Sequence, residues 1–292
     1  MTSAETPSEV TPPADLSGAA AKPEKKEDSF FVFLIKLVVI VLVFRSFLFA
    51  PFNIPSESMM QRLLIGDYLL ASKWSYGFSK YSLPYSVPLI PGRVLASQPE
   101  RGDVAIFKAP PTNNVDYIKR VIGLPGDQIQ MRGGVLWING AAVPKVRLID
   151  FVTPVTPGMI AAAKADNRLP CVSAEFERNG PDGTQSCSYP QFRETLPNGV
   201  TYNVLDFGDG RPADDTEVFV VPAGHLFMMG DNRDNSMDSR FEASEGGIGF
   251  VPQENLVGKA QVMMFSTDGG ASWIKPWTWF SAARWSRIGA KI

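Results

Sequence analysis

The sequence predicts a mainly β protein: an antiparallel-sheet core carrying an inserted β-rich subdomain, preceded by one N-terminal transmembrane helix. Three observations predict it. A single long apolar run, Phe30 to Ala50, lies near the start. Short alternating segments follow it, cut by Asn-Gly and Pro-Gly pairs, which is the pattern of antiparallel strands and tight turns. The 24 Pro and 25 Gly among 292 residues suit a loop-rich β fold better than a helical bundle. With 45% hydrophobic and 20% charged residues, the chain can bury one or two real cores.

Residues 1–28 are rich in Ala, Pro, Ser, Glu and Lys and nearly free of large apolar side chains. So little burial cannot offset ordering entropy, and this stretch reads as a disordered tail. The character changes at residue 29. As a helix the apolar run rises about 30 Å, enough to cross a bilayer once, and 29–51 is taken as the anchor. Lys36 and Arg45 interrupt it, but each lies about 9 Å from the nearer end, within snorkelling range. A cleaved signal peptide would show an Ala-x-Ala-like site, and none precedes Pro51. Lys22, Lys25 and Lys26 come before the span, while no basic residue lies between Arg45 and Arg62. The positive-inside rule then puts the tail in the cytoplasm and everything after Pro51 outside.

Beyond the anchor, strands are expected at Asp103–Lys108, at Asp116 onward to the Pro125-Gly126 turn, at Val135–Ile138, at Glu217–Val221 and at Lys259–Phe265. The more polar, weakly patterned stretch from about 145 to 215 suits an insertion into a core made of the flanking parts, and the division is taken as 52–130 and 217–270 for the β core with 131–216 inserted. Cys171 and Cys187 fall in the insertion, spaced neither as a zinc ribbon nor as a redox Cys-x-x-Cys. In an oxidising compartment they would form a disulfide; in the cytosol they would be two unrelated thiols. The external placement tilts the choice toward the disulfide. The last segment, 271–292, carries Trp273, Trp277, Trp279, Phe280 and Trp285 beside Lys275, Arg284, Arg287 and Lys291. It is too interrupted to span a bilayer. Aromatics next to cations suit the headgroup zone, and docking of the same rings onto the core is the competing expectation.

The formal net charge of -2 lacks the basic excess of a nucleic-acid binder, so none is expected as a partner. His225 is the single histidine, which excludes a multi-histidine zinc site and leaves a Ser-His-Asp triad dependent on that one residue. It heads an apolar run and reads as a packed or turn-capping side chain. The polar run Gly230–Arg240 invites a calcium loop, with Asp231 and Glu242 as first and twelfth positions. Arg233 at the third ligand position and Ser236 at the turn-glycine position exclude it. No metal or cofactor is therefore expected. Arg101-Gly-Asp103 resembles an integrin ligand, but at the start of a strand it reads as structural.

With imidazole scarce, a serine nucleophile would need lysine as its base. Lysine must then fall from about 10.4 toward 7–8, a shift costing roughly 4 kcal/mol that burial can supply. Ser58 lies in Ile54–Met60, just past the anchor. Lys119 lies on the strand from Asp116. Alternation puts Tyr117 and Lys119 on one face and Ile118 and Arg120 on the other, so one of the two basic residues is expected to face inward. Arginine cannot be deprotonated in a protein, which leaves Lys119.

Four segments, in matching order, closely resemble bacterial type I signal peptidases, the leader-peptidase family with a Ser–Lys dyad. They are Pro55-Ser-Glu-Ser-Met-Met60; Arg101-Gly-Asp-Val104; Tyr117-Ile-Lys-Arg120 with Gly123-Leu-Pro-Gly-Asp127; and Gly230-Asp-Asn-Arg-Asp-Asn-Ser236 through Arg240. The resemblance implies a serine endopeptidase with Ser58 as nucleophile and Lys119 as general base. It implies Ser56 and the Ser58 N–H as the oxyanion hole, Ser236 orienting Lys119, and Asp238 with Arg240 supporting the loop. Phe52, Ile54, Pro55, Met59, Leu63, Tyr117 and Ile118 match positions lining the family's substrate pockets. The implied partners are preprotein signal peptides, bound as extended strands, and the lipid bilayer. The implied location is the bacterial inner (plasma) membrane, single-pass, with the catalytic domain on the outer side. Glu57 departs from the glycine of many members, and 131–216 matches no family motif. The rival readings are another Ser–Lys protease, which as a repressor would carry a DNA-binding domain, and an inactive membrane-tethered β-domain serving as a binding module.

Overall fold

A computed structural model describes residues 29–272 and 274–292, so the expected tail 1–28 and Trp273 lie outside the described residues. Helix α1, Phe30–Val43, contains no buried residue and continues into a π-helical turn, Phe44–Leu48. Together they make 19 residues of mean hydropathy 2.6, about 28 Å of helical rise. A helix apolar on every face and exposed on every face suits an apolar solvent. The helix ends before the expected Pro51. Phe49–Asn53 is a strand paired with Asp67–Ser72, because Pro51 lacks an N–H and turns Ala50 away from helical geometry. An edge strand accommodates that proline.

The two flanks of the chain meet in one seven-stranded sheet. Its order is Phe49–Asn53, Asp67–Ser72, Leu256–Ser266, Val104–Lys108, Asp116–Gly123, His225–Met229 and Val251–Pro252. The long Leu256–Ser266 strand joins the early and late halves, pairing with Asp67–Ser72 on one side and Val104–Lys108 on the other. Beneath the site side of this sheet, Ile54, Met59, Leu63, Leu69, Val104 and Ile106 form one buried cluster. The strand expected over Glu217–Val221 pairs only at Phe219 and Val220; Pro222, without an N–H, follows it.

Within the insertion, three strands at 145–147, 191–195 and 201–205 form one sheet, and three at 151–154, 177–179 and 185–189 form another. Helix α2, Pro157–Ala165, opens with Thr156 accepting the Met159 N–H at 3.2 Å and with Pro157 in the first turn, both favoured start signals. Cys171 and Cys187 are joined in a disulfide, Cα atoms 5.6 Å apart, packed with Met60, Phe176, Tyr189 and Phe207. The C-terminal segment docks on the sheet through backbone and arginines instead of through its rings. Arg284 and Arg287 both pair with the buried Asp67 carboxylate. The Met263 N–H donates to the Ala290 carbonyl. Trp277, Phe280 and Trp285 stay exposed.

Candidate active site

The segment carrying Ser58 is pinned at both ends. Ile54 exchanges backbone hydrogen bonds with Asp67 and Gly66 at 2.8 and 3.0 Å, while Met59 and Met60 are buried. Between them the Asn232 N–H donates to the Ser58 carbonyl at 3.1 Å, and its side-chain amide donates to the Glu57 carbonyl at 3.1 Å. The 230–240 loop therefore grips the serine's own backbone. Gly230 makes that approach possible: a Cβ there would lie 2.4 Å from the Ser58 carbonyl oxygen.

Lys119 sits mid-strand, opposite Ala105 on the neighbouring strand, and is 4% exposed. Its Nζ lies 2.5 Å from Ser58 Oγ. Burial brings its pKa down to about 8; the Asp238 and Asp231 carboxylates oppose that shift and Arg240 adds to it. No carboxylate forms an ion pair with this ammonium among the described residues. An amine held so, against a hydroxyl, can exchange a proton with it near neutral pH.

Arg120 corrects the alternation argument, which sent only one of the two basic residues inward. It too is buried, at 6% exposed, on the opposite face of the strand. Asp231 accepts from its Nε and Nη2 at 2.8 and 2.6 Å, and the Gly102 carbonyl accepts at 2.7 Å. A bidentate carboxylate makes a buried guanidinium tolerable.

The loop is braced from within and from the insertion. Arg240 donates to both Asp238 oxygens at 2.9 and 3.0 Å, and Asp238 also accepts the Gly230 N–H at 3.0 Å. Burial would raise the Asp238 pKa, but Arg240 outweighs it and holds the carboxyl below its usual range. Arg233 makes a buried pair with Glu194 at 2.7 and 2.5 Å, and Tyr202 donates to the same carboxylate at 2.7 Å. Ser236 departs from its expected part: its buried Oγ makes no hydrogen bond, to Lys119 or to any other group. It packs instead against Gly230.

Ser58 and Lys119 open into a groove of about 530 Å³ whose walls include Phe52, Ile54, Pro55, Ser56, Tyr117 and Ile118. Met59 and Leu63, expected in those walls, are instead buried in the core cluster below. Arg101 and Asp103 are structural, Arg101 pairing with Asp127 at 2.8 Å and Asp103 with Lys259 at 2.6 Å. His225 caps its turn through a 3.0 Å bond between Nδ1 and the Ala223 carbonyl.

One buried pair beside the nucleophile was not among the expected site residues. Glu57 is 2% exposed beside Ser58, and its Oε2 meets Arg168 at 3.1 Å and the Asn235 amide at 3.2 Å. Its Oε1 is buried without a partner. Burial raises the Glu57 pKa and Arg168 opposes it. Arg168 follows α2, so the unpatterned insertion reaches the nucleophile loop. The one available signal was Glu57 itself, standing where glycine is common.

The model of the family described as signal peptidase, peptidase S26, matches residues 28–265. The chain belongs to that family. Signal peptidase I of Rickettsia typhi (strain ATCC VR-144 / Wilmington) is 36% identical over 288 residues, spanning 91% of this chain and 93% of its own. Signal peptidase I of Rickettsia prowazekii (strain Madrid E) is also 36% identical over the same shares. That of Rickettsia canadensis (strain McKiel) is 37% identical over 79% of this chain and 77% of its own. A solved signal peptidase I from Enterococcus faecalis V583 is 24% identical and covers 56% of this chain and 97% of that one, at a TM-score of 0.26, too low to inform the fold. As a member of the S26 family the chain is a signal peptidase hydrolase, mainly β, with one N-terminal helix apolar and long enough to cross a membrane among the described residues.

Proposed function

We propose that this protein is a membrane-anchored endopeptidase that removes signal peptides from exported preproteins, with Ser58 as nucleophile and Lys119 as general base. The observation that carries it is the 2.5 Å approach of a buried lysine amine to a serine hydroxyl in an open groove. Neutral Lys119 takes the Ser58 proton as Oγ attacks the scissile carbonyl. The tetrahedral oxyanion forms beside the Ser56 hydroxyl and the Ser58 N–H, which serve as its donors. Collapse breaks the amide bond, protonated Lys119 delivers its proton to the leaving amine, and an ester to Ser58 remains. Water, deprotonated by Lys119, then attacks that ester and frees Ser58.

The groove runs between the edge strand that ends at Asn53 and the Asp116–Gly123 strand, which suits an extended substrate segment lying alongside both. Helix α1 and its π-turn serve as the anchor, and they end about ten residues before Ser58, so the cut is made close to the bilayer surface. Asp238 and Arg240 act by fixing the loop that holds the serine backbone. The purified full-length chain is expected to cut a signal-peptide substrate in detergent or vesicles, and both Ser58→Ala and Lys119→Ala are expected to abolish cutting. Full activity in either variant would reject the dyad, and a wild type that cuts nothing would leave the tethered-scaffold reading.

A further inference from the structure

The π-helical turn that ends the apolar helix carries Arg45. Three lysines from separate parts of the fold open onto the space beside it. Lys73 follows the Asp67–Ser72 strand, Lys80 opens a short 3₁₀ turn, and Lys108 ends the Val104–Lys108 strand. Two adjoining cavities of about 140 and 840 Å³ share Arg45, Tyr81, Tyr85 and Lys108; Lys73 lines the smaller and Lys80 the larger. Among the described residues lining either, Asp116 is the one carboxylate, 3.0 Å from Lys108. Four cations thus face one acid.

Lys73 is the most buried of them. It is 4% exposed and donates to the Tyr81 carbonyl at a long 3.4 Å. Burial lowers its pKa to about 8; Asp116 opposes this, and Lys108, Arg45 and Arg93 push it further down. A buried ammonium whose one neighbouring carboxylate is already paired with Lys108 is short of an anion. Ser82 and Ser86 add hydroxyl donors to the smaller cavity. Apolar groups crowd the same opening: Leu42 and Pro88 line the larger cavity, and Tyr85 stands fully exposed at its rim.

We propose that this basin binds a phosphate-bearing anion, namely the headgroup of an anionic phospholipid seated where the helix leaves the bilayer. The proposal rests on the anchor reading of the helix. Phosphate offers the diffuse negative charge and multiple acceptor oxygens that a ring of Arg and Lys recognises, and such residues flanking a span are drawn to anionic leaflets. The apolar lining beside the cations favours a lipid over free phosphate, since glycerol and the first acyl carbons need apolar contact. The basin meets the substrate groove at Phe52 and Asp116, so an upstream substrate segment is the rival occupant. Four cations are poor company for the apolar stretch that such a segment would bring.

The full chain in a neutral maltoside detergent is titrated with dihexanoylphosphatidylglycerol, dihexanoylphosphatidylcholine and inorganic phosphate, as wild type and as Arg45→Gln/Lys80→Gln. The expected result is glycerol-headgroup binding at least tenfold tighter than choline-headgroup binding, weakened roughly tenfold or more by the double substitution and weakened by salt. Arg45→Lys should keep the selectivity, which separates loss of charge from misfolding. Equal affinity for both lipids, or no effect of the double substitution, overturns the site. Inorganic phosphate binding as tightly as the lipid reassigns it to free phosphate. A raised KM for a signal peptide in lipid-free detergent, caused by the double substitution, reassigns it to substrate. Flotation with phosphatidylcholine vesicles tests the anchor separately: a chain that fails to float loses its anchor while the detergent titration still decides the basin.

Discussion

Two buried lysines invite comparison, Lys119 in the groove and Lys73 in the basin below the helix end. Both are 4% exposed, and burial is the main reason both fall to about 8. Their surroundings differ. Lys119 reaches a serine hydroxyl at 2.5 Å, with Asp238 and Asp231 nearby. Lys73 reaches only a backbone carbonyl at 3.4 Å, with Asp116 the one carboxylate acting on it against Lys108, Arg45 and Arg93. A carbonyl has no proton to give, so a depressed amine beside it has nothing to deprotonate. The lesson is that a lowered lysine pKa marks a desolvated amine, and its partner decides whether that amine is a base or an anion receptor.

The largest expected effect separates the two at once. Ser58→Ala and Lys119→Ala should each lower kcat by about a thousandfold or more in a signal-peptide assay, with the two losses far from additive in the double variant. Additive losses would break the idea that serine and lysine act as a unit.

The next effect should be common to both lysines. Each has a folded pKa near 8 against about 10.4 unfolded, so between those values the native state binds fewer protons. The wild type then gains stability as pH rises from about 8 to 10, and at pH 7 each buried ammonium carries its full cost, up to about 3 kcal/mol. Lys119→Met and Lys73→Met should each recover most of that in urea unfolding at pH 7 and show little gain at pH 10.5. A destabilised Lys119→Met at pH 7 would mean that the ammonium is satisfied in the fold.

Reducing the Cys171–Cys187 bond should lower stability by about 3 kcal/mol for a loop of this length, read from the shift in denaturation midpoint. The smallest effect concerns the insertion. Arg168→Met leaves the Glu57 carboxylate buried without its cation; because Arg168 is partly open to solvent, the expected loss is about 2 kcal/mol, below the roughly 3–5 kcal/mol of a fully buried pair. It should lower kcat more than it changes KM, because the serine backbone moves while most groove walls do not. Glu57→Gln in the same background should restore much of the loss, and no recovery would make Arg168 merely a packing residue.

Much of this was legible in the chain. The apolar run and the short strands cut by Asn-Gly and Pro-Gly pairs follow from hydrophobic period and turn chemistry, which are local signals. Ser58 and Lys119 stood out because scarcity of histidine narrows the choice of base and because their flanking motifs resemble a known family. What sequence reasoning missed was set by distant partners. Alternation assigns Arg120 a face but cannot reveal Asp231, which sits 111 residues later and makes that face a buried one. The family resemblance implies Ser236 as a partner of Lys119, yet its buried hydroxyl, packed against Gly230, makes no hydrogen bond. Glu57 meets its cation in a stretch with no pattern of its own, and the basin's four cations are spread from residue 45 to 108. Pro51, read more strictly, would have ended the helix by Ala50, close to its observed end at Leu48.

A pH profile of kcat/KM for signal-peptide cutting, run on the wild type and on Lys73→Met, separates the two amines in one experiment. If Lys119 removes the Ser58 proton, both profiles rise about tenfold per pH unit below 8 and level off above it. A profile flat from pH 6.5 to about 9, or a midpoint near 8 that vanishes with Lys73, would contradict an uncharged Lys119 as the base.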